Sequence, residues 1–426
     1  MKFIADFHIH SKYSRATSKD MNVDPISKWA QLKGISLMAT GDFTHPAYLT
    51  ELKSKLAPVE PGLFRLKPAE LNKTCFILTA EVSNMYSVNG RFHKIHTLLF
   101  APSFEAVDKI NACLSKKGNL SADGRPIFGF PVTELAKIVL DASPDCMIIP
   151  AHAWTPWFSV FGANSGFDSI EECFGDYARY IYAIETGLSS DPAMNWRLSK
   201  LDKITLLSNS DAHSPSKIGR EVNVFDCKLD YYDIIDTIRK KDKKRFIYTI
   251  EFFPEEGKYH YDGHRDCSVL MGPEESKKNK YICPVCKKRL TVGVMTRVEA
   301  LADRPAGTVP DNAIPYKSTV PLLEIISDAM QVGVLSQKVR NEYLKIVRTV
   351  GTEFSVLMDV PRDELVRATL PHIADAIMQV RAGKLDIVPG HDGVFGKISI
   401  KPVDKEEPPS WPPVQNPAGK RQMELF

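Results

Sequence analysis

The sequence lacks a strong excess of charge of either sign. Its 55 lysine and arginine residues nearly balance 52 aspartate and glutamate residues, which leaves a formal net charge of +3 at pH 7. Overall charge therefore gives no case for nucleic-acid binding, and any such case must come from local basic patches. The 43% of hydrophobic and 25% of charged residues are ordinary for a soluble globular protein, and 426 residues are enough for two or three domains.

Long apolar runs and a disulfide framework are also absent. No stretch reaches the roughly 18 consecutive apolar residues of a membrane-spanning helix. Met1 leads directly into a predicted strand rather than into a signal peptide. The eight cysteines are too few and too scattered for a disulfide scaffold in a chain of this length. These features predict a cytoplasmic protein.

Short β-rich apolar runs alternate with helical stretches between residue 1 and about residue 226. This alternation is typical of an α/β fold with a parallel sheet, in which functional side chains lie at the carboxyl ends of strands. Helices are predicted over Pro25–Lys33, where Gly34 ends the helix, and over Phe104–Leu114. We assign residues 1–240 to this domain.

Two histidines follow the first predicted strand. His8 and His10 are two residues apart, so both rings point to the same side of an extended chain. Neutral imidazole is a common metal ligand, although a single His-x-His pair is weak evidence. The pair gains weight because an apolar run that ends in Asp, Glu or His recurs over the next 200 or so residues.

The recurring polar residues are too many for one zinc ion and suit a cluster of two or three metals. The candidate ligands are His8, His10, Asp42, His45, Glu81, His96, His152, Asp211 and His213. Two metals about 4 Å apart can bind the attacking and leaving oxygens of a phosphoryl transfer. We predict catalytic roles for Glu81, Asp211 and His213. His93 is expected to face away from the cluster, and Glu185 to orient a ligand.

A second metal site is predicted in residues 241–305. Its ligands are His264, Cys267, Cys283 and Cys286, which make two pairs with the spacing of a zinc ribbon, and His260 is the alternative fourth ligand. A redox Cys-x-x-Cys is the competing interpretation, but that motif is expected at the start of a helix after a strand. The segment is too small for its own core, so bound metal would supply its folding energy.

Two basic segments lie near this predicted zinc module. They contribute Lys240, Lys241, Lys243, Lys244 and Arg245, and then Lys287, Lys288 and Arg289. A solvated helix end is the simple explanation for the first segment. Contact with DNA phosphates competes with it because of where the segment lies, and we predict DNA binding for both.

The rest of the chain is predicted to be helical and then disordered. Apolar residues recur at helical spacing over Pro321–Met330, Lys338–Val350 and Pro361–Gln379, which predicts a helical domain at 306–401. The glycine-rich segment 388–396 is predicted to form turns. Residues 402–426 begin with a region rich in proline, glutamate and lysine, which predicts a disordered tail.

Several motifs resemble those of the PHP (polymerase and histidinol phosphatase) superfamily. In chain order they are DFHIHS, TGDFTHP, Glu81, IHTLLF, PAHAW and SNSDAH. The resemblance implies a distorted (β/α)7 barrel with a trinuclear metal site. It assigns His8, His10, Glu81 and Asp211 to the first metal, Glu81, His96 and His152 to the second, and His213 with Asp42 or His45 to the third. Phe43 stands where many members have a histidine, which leaves the third site open.

The order of domains is similar to that of the endonuclease Q family. The motifs on which this similarity rests are GKYHYDGHRDCS, YICPVCKKRLTVGV and RVEALADRP, followed by the helical region 306–401, for which the resemblance implies a DNA-binding role. The resemblance implies a DNA-repair enzyme that nicks DNA on the 5′ side of hypoxanthine, xanthine, uracil or an abasic site, with a structural zinc and two or three Zn, Mn or Mg ions in the barrel. It also implies a flipped nucleotide, for which Tyr86, Trp154, Trp157 and Phe158 are stacking candidates.

The last five residues resemble a bacterial sliding-clamp-binding peptide. Gln422, Leu425 and Phe426 fit the pattern Q-x-x-L-F, and an extended peptide could place Leu and Phe in an apolar groove. The resemblance implies a clamp partner and a nucleoid-associated location. The alternatives to a lesion endonuclease are a small-molecule phosphoesterase similar to histidinol phosphatase, a DNA exonuclease and a DNA-binding scaffold with an inactive barrel.

Overall fold

The computed structural model describes residues 1–400, so the predicted clamp-binding residues Gln422, Leu425 and Phe426 lie outside the described part. The described chain forms two compact units. The first consists of Met1–Ser318 and Val388–Lys397. The second contains Thr319–Ile387 and, among the described residues, 398–400. The division of the chain at residues 240 and 305 stays a prediction.

The first unit is a mixed α/β structure. Its strands are β1 (Lys2–Asp6), β2 (Leu37–Ala39), β3 (Leu56–Glu60), β4 (Leu63–Leu66), β5 (Cys75–Val88), β6 (Arg91–Ala101), β7 (Ile127–Phe128), β8 (Met147–Pro150), β9 (Ala183–Glu185), β10 (Thr205–Leu207), β11 (Val222–Asp226), β12 (Phe246–Glu251), β13 (Asp262–His264), β14 (Val269–Met271) and β15 (Tyr316–Ser318). Its helices are α1 (Val23–Lys33), α2 (Pro46–Lys55), α3 (Phe104–Leu114), α4 (Val132–Ala142), α5 (Ile170–Phe174), α6 (Pro192–Asn195), α7 (Tyr231–Arg239), α8 (Pro273–Lys278) and α9 (Val294–Leu301).

The main sheet is mixed rather than parallel, which corrects the expectation from the sequence. β1 pairs with β2, and β2 with β5, in parallel, whereas β5–β6, β6–β8 and β1–β11 are antiparallel. The reversal between β5 and β6 is a two-residue hairpin turn at Asn89 and Gly90, whose φ angles are 51° and 76°. Asn-Gly tolerates these left-handed values and is the strongest short hairpin signal in a sequence.

Backbone hydrogen bonds also connect β8, β9 and β10 and the residues that follow β1. β9 and β10 pair in parallel. Just past the strand ends, the Ala153 N–H donates to the Glu185 carbonyl (2.9 Å), and the His10 N–H donates to the Ala212 carbonyl (3.0 Å). The bonds therefore run from β1 through β2, β5, β6, β8, β9 and β10 and return to the residues that follow β1.

One hydrophobic core is filled from all seven of these strands. Its buried residues include Phe7, Leu37, Ile77, Phe100, Ile149, Ala183 and Leu207. Burying each large side chain of this kind contributes about 1.5–3 kcal/mol. Successive residues of a strand alternate between faces, so Glu81 shares the face of Ile77 and His96 shares the face of Phe100. This core therefore continues along the same strand faces as Glu81 and His96.

The second unit is helical. Its helices are α10 (Leu322–Met330), α11 (Gln337–Thr349), α12 (Glu353–Met358), α13 (Arg362–Ala368) and α14 (Pro371–Arg381). Strands β16 (Leu385–Val388) and β17 (Lys397–Ile400) follow in the chain, and each has one end residue, Val388 or Lys397, in the first unit. The predicted helix Pro361–Gln379 is two helices, because proline disfavours a helical conformation at the residue before it and Pro371 begins α14. The buried Glu353 carboxylate accepts hydrogen bonds from the Tyr343 hydroxyl (2.8 Å) and the Leu322 N–H (3.1 Å).

Among residues 1–400, no helix has both the length and the apolar character needed to cross a membrane.

Candidate metal centre

Six of the predicted ligands lie in two neighbouring groups. The first group is His8, His10 and Asp211, and the second is Glu81, His96 and His152. Within each group, one possible ligand atom of every residue lies within 4.8 Å of the others. Histidine nitrogens and carboxylate oxygens at such distances can share a divalent metal ion.

Strand ends position four of these residues, and long strands position the other two. His8 and His10 follow β1, His152 follows β8 and Asp211 follows β10. Glu81 and His96 instead lie inside β5 and β6, which corrects the expectation that every ligand ends a strand. The two long strands continue past the site as a hairpin, so their ligands come from the middle of the strands.

Glu81 connects the two groups. Its Oε1 lies 2.9 Å from His96 Nδ1 and 3.0 Å from His152 Nε2. Its Oε2 lies 3.2 Å from His10 Nε2 and 3.8 Å from His8 Nε2. A carboxylate with one oxygen toward each group has the geometry needed to bridge two metals.

Carboxylates orient the first two histidine rings from behind. His8 Nδ1 lies 3.0 Å from both oxygens of Glu185, and His10 Nδ1 lies 3.0 Å from Asp42 Oδ1. With Nδ1 occupied in this way, each ring presents Nε2 to the centre. Among the described residues, Nε2 of His8, Nε2 of His10 and Oδ1 of Asp211 are buried and make no hydrogen bond of acceptable geometry, although carboxylate oxygens lie near both Nε2 atoms. Buried atoms of this kind fit a cation, so the residues present suit a metal.

Opposite charges shift the pKa values of His8 and Glu81 in opposite directions. Burial acts to lower the pKa of His8, but the carboxylates of Glu185, Asp211 and Glu81 raise that pKa well above its ordinary value. Burial acts to raise the pKa of Glu81, but His96, Arg125 and His8 hold it well below its ordinary value. The carboxylates therefore stay ionised as metal ligands, and a metal that binds the protonated His8 must displace its proton.

Three residues predicted as metal ligands lie outside the two groups. Asp42 accepts hydrogen bonds from the Ser11 N–H (2.6 Å) and the Ser14 hydroxyl (2.8 Å) in addition to its contact with His10. His45 precedes α2 and stacks on Tyr13, with ring centroids 4.2 Å apart.

His213, the third of these residues, lies beside the first group. Its ring centroid is 4.7 Å from that of His10, and its Nδ1 lies 2.9 Å from the Asp211 carbonyl oxygen. The third metal site implied by the family resemblance therefore stays a prediction.

Three residues at the centre have a strained backbone conformation. Asp42, His152 and Asp211 have φ angles of 44°, 30° and 46°, values that residues with a side chain rarely adopt. Space is limited as well, because a Cβ added at Gly124 would lie 2.3 Å from Asp42 Oδ2. A Cβ at Gly187 would lie 2.6 Å from that of His152. The surrounding structure therefore holds these side chains in place at an energetic cost.

Arg125 is a site residue that sequence reasoning missed. Its Nη1 lies 2.9 Å from Glu81 Oε2, and its side chain is 26% exposed. Arg125 lies in the segment between α3 and β7, outside every motif that predicted the centre, and nothing in the local sequence marks it. It brings a permanent positive charge to a site otherwise made of histidines and carboxylates.

His93 and Glu185 lie where the sequence analysis expected them. His93 is buried away from the two groups and stacks on Phe167, with ring centroids 3.8 Å apart. Glu185 orients His8 as described above.

The aromatic stacking candidates differ in exposure. Trp154 is fully buried and donates its indole N–H to Asn195 Oδ1 (2.8 Å), and Tyr86 is also buried. Trp157 is 37% exposed. The ring of Phe158 lies beside that of His96, with centroids 4.7 Å apart. Only the last two therefore have a surface available to a ligand.

The predicted zinc ligands form a third group in the first unit. One ligand atom each of His264, Cys267, Cys283 and Cys286 lies within 4.8 Å of the others, and Cys283 is fully buried. Three thiols and one imidazole are a common donor set for structural zinc, so these residues fit that metal. His260, the alternative fourth ligand, lies outside this group.

The two predicted DNA-binding segments differ in how their charges are used. Arg245 contacts Asp233, Asp236 and Asp242, each at 2.8 Å, and Lys240 also pairs with Asp236. Lys241 donates to the Asp202 carbonyl (2.8 Å) and Lys243 to the Asp311 carbonyl (2.8 Å), while Lys244 is exposed. These contacts favour a structural role for Arg245.

The second segment is more open. Lys287, Lys288 and Arg289 are all exposed, although the Lys287 ammonium donates to the Pro284 carbonyl (2.8 Å). These residues directly follow the last predicted zinc ligand, Cys286. Their charges are therefore more available to a phosphate backbone than that of Arg245.

The fold and this centre define a class: a mixed α/β protein with a histidine and carboxylate centre suited to two divalent metals. The chain is 32% identical to the lesion-specific endonuclease PfuEndoQ from Pyrococcus furiosus, with a TM-score of 0.83 and coverage of 94% of this chain and 96% of that one. A structure of endonuclease Q with a 27-mer duplex containing an abasic lesion gives 32% identity, a TM-score of 0.82 and coverage of 94% and 97%. The chain belongs to the endonuclease Q family.

Sequence comparisons agree with this assignment. The chain is 29% identical to protein YqxK of Bacillus subtilis over 93% of this chain and 99% of that protein. It is 34% identical to protein MJ0043 of Methanocaldococcus jannaschii over 59% of this chain, and this match spans only 32% of that longer protein. The family model described as the MJ0043 C-terminal domain matches residues 321–384, which lie in the helical unit.

Proposed function

We propose that this protein is a metal-dependent DNA-repair endonuclease that nicks the strand on the 5′ side of deaminated bases and abasic sites. The observation that carries the proposal is the match over 94% of the chain to a lesion-specific endonuclease, together with two neighbouring groups of possible metal ligands that Glu81 connects. The relative solved with an abasic duplex supports DNA as the substrate. Hypoxanthine, xanthine and uracil are proposed from the family resemblance of the sequence motifs.

We further propose that the first unit is a distorted (β/α)7 barrel of the PHP type. The return of backbone hydrogen bonds from β10 to the residues after β1 supports a closed arrangement. The core shared by all seven strands supports it as well, because the interior of a small barrel is filled by side chains from every strand.

The residues at the centre have separate roles in this proposal. His8, His10 and Asp211 would hold one metal and His96 and His152 the other, with Glu81 between them. Bound divalent ions would polarise a phosphate and lower the pKa of a water molecule, which supplies a nucleophile at neutral pH. Glu185 and Asp42 fix the orientation of two histidine rings.

Arg125 and His213 complete the proposed centre. The Arg125 guanidinium is a permanent donor suited to phosphate oxygens. His213, which we predicted to be catalytic, is 34% exposed and lies beside His10 and Asp211, where we propose that it contacts the substrate.

We propose a structural zinc on His264, Cys267, Cys283 and Cys286. The small size of the core beside it supports this role, since the buried residues of that cluster are Val269, Met271, Cys283 and Leu290. A core of this size needs a further source of stability, and a metal bound by thiolates supplies it.

The test of function uses end-labelled duplexes that each carry one hypoxanthine, uracil or abasic site, beside an undamaged control. We expect a single nick immediately 5′ to the lesion with magnesium, manganese or zinc. Asp211→Ala should abolish cleavage and leave DNA binding in place, because it removes a ligand of the first group. Progressive shortening from an end, or release of phosphate from a small phosphomonoester without any nick, would overturn the proposal.

A further inference from the structure

The β5–β6 hairpin carries Lys94, a lysine that lies on the same face of β6 as a residue of the metal centre. Phe92, Lys94 and His96 are alternate residues of β6 and so lie on one face of the strand. His96 belongs to the second metal group. Within residues 1–400, Lys94 makes no ion pair, so its charge is available to a ligand.

Two aromatic rings flank the Lys94 ammonium. Its Nζ lies 5.0 Å from the ring centroid of Phe158 and 5.8 Å from that of Phe92. Phe92 is 47% exposed. Contacts of this kind attract a lysine cation to the ring faces, so they limit the positions that the charge can occupy. The cation is therefore held near the centre and at the protein surface.

The position of Phe158 is enforced at a cost to the backbone. Its φ angle is 63°, which is rare for a bulky residue. Hydrogen bonds to β6 hold it: the His96 N–H donates to the Phe158 carbonyl (3.0 Å), and the Lys94 N–H donates to the Ser165 carbonyl (3.2 Å). The Phe158 N–H donates to the hydroxyl of Ser165 (3.2 Å). Strain maintained by this many contacts is typical of a functional position.

We propose that Lys94, held between Phe92 and Phe158, is a phosphate contact for the DNA strand that enters the metal centre. Lys94 lies two residues from His96 on the same face of β6, about 7 Å along the strand. A polynucleotide whose phosphate occupies the centre extends its neighbouring phosphates past this rim, where the free ammonium can neutralise one of them. This inference rests on the proposed function, and it assigns a binding role, not a role in the chemical step.

The test measures the salt dependence of DNA binding by anisotropy with an abasic duplex and the cleavage-deficient Asp211→Ala protein. Each phosphate contact contributes about 0.9 to the slope of log K against log salt on duplex DNA and about 0.7 on a single strand. Adding Lys94→Met should reduce the slope by about this amount between about 50 and about 200 mM salt. Adding Lys94→Arg should preserve it.

Lys109→Met provides a matched control, because Lys109 is an exposed lysine on α3 that pairs with Glu105 (3.1 Å). This substitution should leave the slope of log K against log salt unchanged. In the protein with Asp211 intact, Phe158→Gly should raise KM while relieving the backbone strain at that position, and Phe158→Tyr should retain the wild-type KM. A Lys94→Met slope equal to that of the parent would overturn the inference. An unchanged slope together with nicking of lesion DNA by the wild-type protein would overturn only the role of Lys94 and leave the proposed function in place. If the wild-type protein nicks no lesion DNA, the proposed function itself is wrong.

Discussion

The orientation of the histidine rings at the metal centre depends on carboxylates behind them. Asp42 and Glu185 contact Nδ1 of His10 and His8, which leaves each Nε2 for a metal. An aspartate after a strand can serve as a ligand or as the partner of a ligand, and the spacing in the sequence is the same for both. The sequence could therefore place Asp42 at the site, but its role depends on side-chain contacts that only the folded structure shows.

The residues of the centre differ in how predictable they were. The shared direction of His8 and His10 follows from the two-residue period of an extended chain. Arg125 could not be predicted because its position depends on how the segment between α3 and β7 crosses the site. The choice of His264 over His260 is likewise a matter of three-dimensional distance, because both lie at an acceptable spacing in the sequence.

The buried carboxyl group of Glu251, on β12, predicts a pH-dependent stability. Burial raises the pKa of Glu251 to about 8, against about 4.3 in an unfolded chain. Between these values the unfolded chain has lost a proton that the folded chain keeps, so the free energy of unfolding falls as the pH rises. The fall for one such group is at most about 1.4 kcal/mol per pH unit. Glu251→Gln removes the titrating group. It keeps a side-chain oxygen that can accept from the Thr186 hydroxyl, which lies 3.0 Å from Glu251 Oε2 in the wild type.

Urea unfolding between about pH 5 and about pH 8 checks this expectation, since that range lies between the two pKa values. The free energy of unfolding of Glu251→Gln should fall less steeply with pH than that of the wild type. Glu105→Gln is the control, because its side chain is 79% exposed. Parallel pH curves for wild type and Glu251→Gln would contradict the assignment of the slope to this carboxyl group.

Among the secondary-structure elements, local sequence signals predicted the bounds of helices better than the direction in which strands pair. α3 has the bounds expected from the apolar spacing, Phe104–Leu114, and α1 ends where Gly34 adopts a left-handed conformation. The recurrence of strands and helices suggested a parallel sheet throughout, so the antiparallel hairpin was missed. The Asn89-Gly90 pair is nevertheless a sequence signal that predicts such a hairpin. The hairpin matters for function because it carries Glu81, Lys94 and His96.

The zinc module gives a prediction at the scale of an element. Cys283→Ser removes a buried thiolate from the group that it forms with His264, Cys267 and Cys286. We expect the purified variant to hold one zinc ion fewer per chain and to lose protection from hydrogen exchange over residues 258–290, because structural zinc contributes about 10–16 kcal/mol to the folding of small modules.

Cys113→Ser is the matched control, since Cys113 is exposed and lies outside every metal group among the described residues. Elemental analysis of both variants beside the wild type gives the result directly. Equal zinc content in Cys283→Ser and the wild type would exclude the proposed site, whatever happens to cleavage.

At the scale of the whole molecule, the order of the chain and the order of the compact units differ. The chain leaves the first unit after Ser318, forms the helical unit and returns to the first unit at Val388–Lys397. The returning segment is held by backbone bonds, including Gly390 N–H to the Glu255 carbonyl (2.8 Å) and Gly396 N–H to the Glu256 carbonyl (3.1 Å). The sequence predicted turns there, but the return depends on long-range contacts that local patterns do not encode.

The C-terminal residues 422–426 predict binding to a sliding clamp. Gln422, Leu425 and Phe426 lie outside the described residues, and their resemblance to a sliding-clamp-binding peptide rests on sequence alone. Deleting residues 422–426 should abolish capture by a bacterial sliding clamp, because the apolar side chains that fill a groove on the partner are removed. Cleavage of short lesion oligonucleotides should be unchanged, since the deletion leaves every residue of the proposed metal centre in place.

Leu425→Ala combined with Phe426→Ala separates the side chains from the length of the tail and should reproduce the deletion. Gln415→Ala, a change elsewhere in the tail, should leave capture intact. The measurement is the affinity for purified clamp, followed by the nicking rate on a circular lesion substrate with and without clamp. If the truncated protein binds the clamp as tightly as the full chain, the contact lies elsewhere. If cleavage of short oligonucleotides falls together with capture, the tail has a role in the reaction that does not depend on the clamp.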